Sequence, residues 1–280
     1  MTDLRTAPTH DGDPFAQRVR EYSYNRPLQR IHVLEAGCGW GRGLDLGDLE
    51  RHVTGVDLDE PALRAHTLTR SDLDCWHLGD LRTVPLPPRE FDVVHAPFLI
   101  ERIPQAELVL DRFVAALKPG GLLLVRLRDR ATAFGFIDRM LPGWLRARIG
   151  AGAVLGAGGA VLPGGPGGPG GPGGAADAAG TSADAPADGP GDGPGDLPPT
   201  PVYEPVASRK GMRWYCVMRG LVVAEEYVSR DTVAAFGRWT SLIGWLGRMV
   251  ATLSGNRLTA DHSEVTMVIR KPENRFARVI

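Results

Sequence analysis

A chain of 280 residues with 43% hydrophobic and 23% charged side chains holds enough apolar material for one substantial core, so a single domain over residues 1–280 is expected. Its 32 basic side chains against 33 acidic ones leave a formal net charge of −1, which excludes a global field for nucleic acid or an anionic membrane. Three cysteines, Cys38, Cys75 and Cys216, are too few and too scattered for a disulfide framework or a zinc site, so a reducing compartment and no metal are expected.

The first thirty residues show no apolar stretch flanked by a cleavage signal. No later segment approaches the roughly 20 apolar residues that span a bilayer, and a cytoplasmic protein without stable membrane insertion follows as the expectation. A helix is expected over Asp13 to Tyr24. From Ile31 to Leu127 short apolar strands alternate with helical stretches, the pattern of a parallel sheet covered on both faces. The strands read as Ile31 to Glu35, His52 to Asp57, Asp74 to His77, Phe91 to His95 and Gly121 to Leu127. Between them, a helix begins at Asp59, whose side chain is expected to cap the amides ahead of Pro61. A second runs from Gln105 to Leu117, with Leu110, Phe113, Val114 and Leu117 on one face and Lys118-Pro-Gly-Gly121 as its stop.

Between residues 151 and 200 the composition changes abruptly, Gly and Pro supplying 26 of the 50 residues. Such a stretch cannot bury a core and reads as a disordered, acidic insertion within the domain, tolerated because loop closure costs rise only with the logarithm of length. Beyond it come a helix from Ser208 to Arg219, a strand from Leu221 to Val228, a helix from Phe236 to Leu253 and a last strand from Glu264 to Arg270. In the last helix Phe236, Trp239, Leu242, Ile243, Leu246, Met249, Val250 and Leu253 recur at helical spacing, a stripe expected to face the core, the alternative being a membrane or partner surface.

The chemistry concentrates at Ile31-His-Val-Leu-Glu-Ala-Gly-Cys-Gly-Trp-Gly41, where a buried strand ends in an acid and runs into glycines 37, 39 and 41 ahead of an expected helix. Glycine permits positive φ and lets a ligand lie against the main chain, and a helix N-terminus offers unpaired amides. A dinucleotide fingerprint requires Gly-x-Gly-x-x-Gly or Ala. Counted from Gly37 the last position is Arg42, and from Gly39 it is Leu44, so the nicotinamide reading fails on spacing. Glu35 points the same way, since a carboxylate there repels a pyrophosphate but accepts hydrogen bonds from a cationic or zwitterionic ligand.

Val33-Leu-Glu-Ala-Gly-Cys-Gly-Trp-Gly41, Val53-Thr-Gly-Val-Asp57, Gly79-Asp80, Phe91-Asp-Val-Val-His95 with Leu99-Ile-Glu-Arg-Ile-Pro104, and Leu117-Lys-Pro-Gly-Gly-Leu-Leu-Leu-Val125 together resemble the class I S-adenosylmethionine-dependent methyltransferases, in particular the small-molecule type 11 group. The resemblance implies a Rossmann-like seven-stranded mixed sheet with helices on both faces and the last strand antiparallel. It implies S-adenosylmethionine as cofactor, with Glu35, Gly37, Cys38 and Gly39 lining its methionine part and Asp57 on the ribose hydroxyls. Leu58 would pack on the adenine, Asp80 would sit near the adenine amino group, Leu81 would lend a backbone amide, and His95 would touch the cofactor. Asp59 and Asp80 also read as ordinary capping and turn residues.

Transfer from a sulfonium needs positioning more than activation. For an acidic acceptor, His95, His66, His262 and Glu101 are the candidate bases, although no catalytic residue can be assigned. Arg102 stands where relatives often carry His, and Glu101 with Arg102 reads as an exposed helix charge pair. Substrate recognition is expected from Asp13 to Tyr24 and from Asp129 to Ile149, where Phe134, Phe136, Ile137, Met140, Leu141, Trp144 and Leu145 form an apolar surface, either a lid over an apolar acceptor or packing. The expected partner is a small molecule. The alternative is a cofactor-binding scaffold without turnover, and an RNA or protein acceptor is disfavoured by the near-neutral charge.

Overall fold

The computed structural model describes residues 5–6, 13–26, 29–39, 43–141, 201–234, 240–255 and 257–273. Apolar runs such as Ile31–Ala36, buried almost throughout, supply the centre of one sheet. Its strands are β1 (Arg5–Thr6), β2 (Ile31–Ala36), β3 (Arg51–Asp57), β4 (Cys75–Leu78), β5 (Phe91–Pro97), β6 (Leu117–Arg128), β7 (Val222–Ser229) and β8 (Glu264–Arg270), in the order β1-β7-β8-β6-β5-β2-β3-β4. The seven strands that the sequence predicts are present, and β8 runs antiparallel to both β6 and β7. The two-residue β1, parallel to β7 at the sheet's edge, is an addition to them.

From β2 the chain steps to β3 and β4 on one side, then returns to β5 on the other, all in parallel register. That reversal opens a crevice outside the C-terminal ends of β2 and β5, where open α/β sheets bind ligands.

Of helices α1 (Pro14–Tyr24), α2 (Pro61–Thr69), α3 (Ala106–Ala116), α4 (Ala133–Met140), α5 (Arg209–Arg219), α6 (Asp231–Ala234) and α7 (Thr240–Leu253), α4 and α6 are additions, and the other five fall where helices are expected. Alternation along the strands divides the core between the faces. Val93, Val33 and Leu124 pack with Phe15 and Val19 of α1, while Val94, Leu34 and Leu123 pack with Leu110 and Phe113 of α3 and Met212 of α5. Asp13 and Ser208 cap α1 and α5 through their side chains.

Three local expectations are corrected. Residues 43–50, after the glycine turn, are not helical. Gly43 and Gly47 fall in a connection too short to offset a cost of about 1 kcal/mol per helical glycine. At α2 the cap position is Glu60, without a side-chain cap, because the Asp59 carboxylate is drawn instead to Arg64, Nε to Oδ1 at 2.9 Å. The apolar stripe of α7 is core-facing only in part, with Ile243, Leu246 and Val250 half-buried. Gly247 and Ala251 make the buried contact, and a Cβ on Gly247 would lie 2.8 Å from the Phe134 ring. Leu242, Trp245, Met249 and Leu253 are exposed, because small residues bring α7 close to α4 along one line and turn the large ones away. Phe236, Trp239, Trp144, Leu145 and the 151–200 insertion lie outside the described residues. No helix among the described residues is long and apolar enough to cross a membrane.

Candidate functional site

At the C-terminal end of β2 the chain turns through Gly37, whose φ of +86° is the left-handed region that a Cβ disfavours. The amides of Gly37 and Cys38 both donate to the Val56 carbonyl, at 2.8 and 3.4 Å, and that of Gly39 donates to Asp57 Oδ2 at 2.7 Å. Three successive amides are therefore spent inside the protein. Glycine serves here for closeness, and the unpaired donors expected from a following helix are not supplied by residues 43–50, which are not helical. A Cβ on Gly39 would lie 2.8 Å from Leu63 Cβ and 2.9 Å from Asp57 Oδ2, so only glycine lets the turn rest on α2 and the acid together.

What the rim offers instead are acceptors. Asp57 is buried, taking the Gly39 amide on Oδ2 and the Leu58 amide on Oδ1 at 2.8 Å. Burial pushes its carboxyl up to about 6 against the pull of those two amides. Glu35 is buried beside it in the sheet, and its Oε2 lies 2.8 Å from His95 Nδ1 across the β2–β5 register. Its Oε1 is shut off from solvent without a hydrogen bond. The Phe15 ring of α1 stands edge-on to His95 at 5.4 Å between centroids, closing that side of the crevice.

The structure thus brings Glu35, Gly37, Cys38, Gly39, Asp57, Leu58 and His95 to one rim. Cys38 differs in orientation, because its thiol turns inward to Thr67 Oγ1 at 3.7 Å and burial pushes it up to about 12. The Cys38 amide and carbonyl are engaged as well, by Val56 and Arg70. Asp80 follows Gly79, whose amide donates to the Asp57 carbonyl, but its carboxylate is held by Arg82, with Nη2 at 2.6 Å from Oδ2. That guanidinium draws the Asp80 carboxyl down to about 2. Asp80 borders an open groove of about 650 Å³ that also includes Asp59, Arg64, Trp76 and His77. Leu81 is buried in the core beneath it.

Among the candidate bases, His66 lies on the exposed side of α2 and His262 pairs with Asp129 Oδ2 at 3.3 Å. The reading of Glu101 and Arg102 as an exposed helix pair is overturned. They lie in a turn after β5, Glu101 fully buried with neither carboxylate oxygen hydrogen-bonded, and Arg102 with Nε and Nη2 shut off from solvent. Arg128, Asp138 and Tyr203 join them, three residues that the sequence offers no periodic or motif signal to select. Arg70 was equally unmarked, and its Nη1 holds the Cys38 carbonyl at 3.1 Å from beneath the turn.

Residues 34–123 match a family model described as a methyltransferase domain. A "Probable S-adenosylmethionine-dependent methyltransferase" of Mycolicibacterium smegmatis is 39% identical over 138 residues, 47% of this chain and 52% of that one. A protein of the same description from Mycobacterium tuberculosis is 34% identical over 136 residues, 47% of this chain and 49% of that one. A ubiquinone biosynthesis O-methyltransferase of Thiobacillus denitrificans is 28% identical over 153 residues, 53% of this chain and 61% of that one. The chain spans about half the length of the mycobacterial relatives it matches. With the parallel sheet, the crevice at its reversal and the glycine turn, residues 34–123 carry a methyltransferase domain similar to those of the S-adenosylmethionine-dependent relatives.

Proposed function

We propose that this protein transfers the methyl group of S-adenosylmethionine to a small-molecule acceptor. The observation that carries the reading is the polarity of the rim. Its turn amides are consumed internally, and what faces the crevice are buried carboxylates, one with an oxygen that no donor among the described residues reaches. Such a site repels phosphates and suits a ligand that brings ammonium and hydroxyl donors. The bound cofactor supplies a methyl group already activated on sulfonium sulfur. Asp57 accepts the ribose hydroxyls, Glu35 Oε1 accepts from the amino group, and Leu58 packs on the adenine. Gly37, the Cys38 backbone and Gly39 let the methionine part lie close, while His95 holds Glu35 in place. Asp80 reaches the adenine amino group once Arg82 swings aside, with the Leu81 amide next to it.

A small-molecule acceptor is supported by the kinship with a ubiquinone biosynthesis O-methyltransferase, and a cytoplasmic setting by the three free cysteines. The experiment is calorimetric titration with S-adenosylmethionine, S-adenosylhomocysteine and NADH. Micromolar binding of the first two and silence from the third are expected, and silence from all three overturns the reading. A scaffold without turnover would bind both yet transfer no labelled methyl to any acceptor in a lysate.

Affinity should also depend on pH through Asp57. Its ionised form is the better acceptor of hydroxyls, so binding favours the deprotonated side chain, and affinity falls as pH drops through the carboxyl's value of about 6. Titrations with S-adenosylhomocysteine at pH 7.5, 6 and 5 should show a plateau above 7 and a loss of up to about tenfold per unit below 6. An Asp57→Asn protein should lose that slope.

A further inference from the structure

Four segments converge beside the cofactor rim, and each contributes a polar side chain that the methyl-transfer reading leaves unused. The turn after β5 brings Glu101 and Arg102, the end of β6 brings Arg128, α4 brings Asp138, and the chain leading into α5 brings Tyr203. The turn and the last of these are stitched together, because the Glu101 carbonyl accepts from the amides of Val202 and Tyr203 at 2.7 and 2.9 Å. The cluster adjoins the glycine turn directly. Leu99 Cδ1, in the same turn as Glu101, is 3.3 Å from where a Cβ on Gly37 would stand, and the Arg102 charge is felt at Asp57.

The hydrogen bonding here is unbalanced. Arg128 is 3% exposed, and its Nε, Nη1 and Nη2 all lack a hydrogen bond, its nearest ion-pair contact being Asp138 Oδ2 at 4.0 Å from Nη1. Arg102 adds an unbonded Nε and Nη2. Asp138 Oδ2 is taken by the Tyr203 hydroxyl, and Tyr203 itself holds a left-handed φ of +56°. Glu101 lies between the guanidiniums, with the backbone amides of Glu101 and Arg128 close to its carboxylate, and burial pushes it up toward its neutral form. Five enclosed guanidinium nitrogens without an acceptor among the described residues are costly unless a ligand or water answers them.

We propose that Arg102 and Arg128 bind a carboxylate carried by the methyl acceptor, placing the acceptor atom at the mouth of the cofactor crevice. This rests on the methyltransferase reading and names the class of its substrate. The fork of a guanidinium matches a planar carboxylate through paired N–H···O bonds. The two guanidiniums face three carboxylates: Asp138, already engaged by Tyr203, Glu101, disfavoured as an anion by its burial, and Glu264, the register partner of Arg128 on β8, so it is the unanswered N–H donors rather than a surplus of charge that call for a ligand.

The test uses the full chain saturated with S-adenosylhomocysteine, titrated with benzoate, benzamide and phenyl phosphate while the arginine Nε–H resonances are followed. Benzoate should bind at least about tenfold more tightly than benzamide and more tightly than phenyl phosphate, moving two arginine Nε–H signals. Arg128→Gln should lose about tenfold or more for benzoate and keep its S-adenosylhomocysteine affinity within about twofold. Equal binding of benzoate and benzamide, preference for phenyl phosphate, or no benzoate binding by a protein that holds S-adenosylhomocysteine overturns the carboxylate site and leaves the methyltransferase reading standing. Failure to bind S-adenosylhomocysteine overturns both. If Arg128→Gln does not fold, the Nε–H shifts of the unsubstituted protein and the Arg102→Gln variant decide the matter.

Discussion

Replacing Asp57 with Ala is expected to weaken S-adenosylhomocysteine binding by about 1.5 to 3 kcal/mol, roughly ten- to more than a hundredfold in Kd. The carboxylate acts twice in the structure. It accepts the amides of Gly39 and Leu58, which fixes the glycine turn and the first residue after β3, and it is proposed to present its remaining lone pairs to the ribose. Alanine removes the ribose acceptor and leaves two enclosed amides without a partner, so the turn should also loosen. Asp57→Asn keeps one acceptor oxygen and should fall between alanine and the unsubstituted protein. Calorimetry at pH 7.5 reads all three, and an alanine variant with unchanged affinity would remove Asp57 from the site.

Phe113→Ala is expected to cost about 3 to 5 kcal/mol of stability, the range for deleting a buried aromatic ring from a core that cannot close over the gap. Phe113 is fully buried on the sheet-facing side of α3, in the cluster that joins Leu110, Leu34, Val94 and Leu123. Leu108 lies on the same helix with 46% exposure, and Leu108→Ala should change stability by no more than about 0.5 kcal/mol. Urea denaturation of the two variants side by side gives the comparison. Similar losses would mean that α3 does not dock in the way its periodicity and burial indicate.

The parallel core was legible before any coordinate, because its signals are local. A strand between two helix-covered faces must be apolar on both sides, and a helix on a sheet must repeat its apolar residues every three or four positions. Ile31–Ala36 and Leu110, Phe113 and Val114 obey those rules, Leu117 passing instead into the start of β6, and the expected strands and helices lie within a few residues of their bounds. The glycine turn was legible for the same reason, since positive φ at Gly37 and close packing at Gly39 each demand a particular residue at a particular place.

Local rules failed where two partners compete for one group. Asp59 has the composition of a helix cap, yet Arg64, five residues on, offers a charged donor that the cap amides cannot match. The α7 stripe has the spacing of a core face, but spacing cannot say which side meets a neighbour. Gly247 and Ala251 allow the closer approach to α4, and that decided it.

By itself, then, the sequence determined the sheet, its covering helices, the acid-ended strand and the glycine turn, because each depends on residues within one or two turns of one another. The tertiary structure alone decided that the turn amides are consumed by β3, that the Cys38 thiol faces inward, and that Glu101 and Arg102 are enclosed with Arg128, Asp138 and Tyr203. Those residues come from four segments as much as a hundred positions apart in the chain. Burial and hydrogen bonding are properties of the folded neighbourhood, and no spacing in the chain encodes which distant side chains will share one.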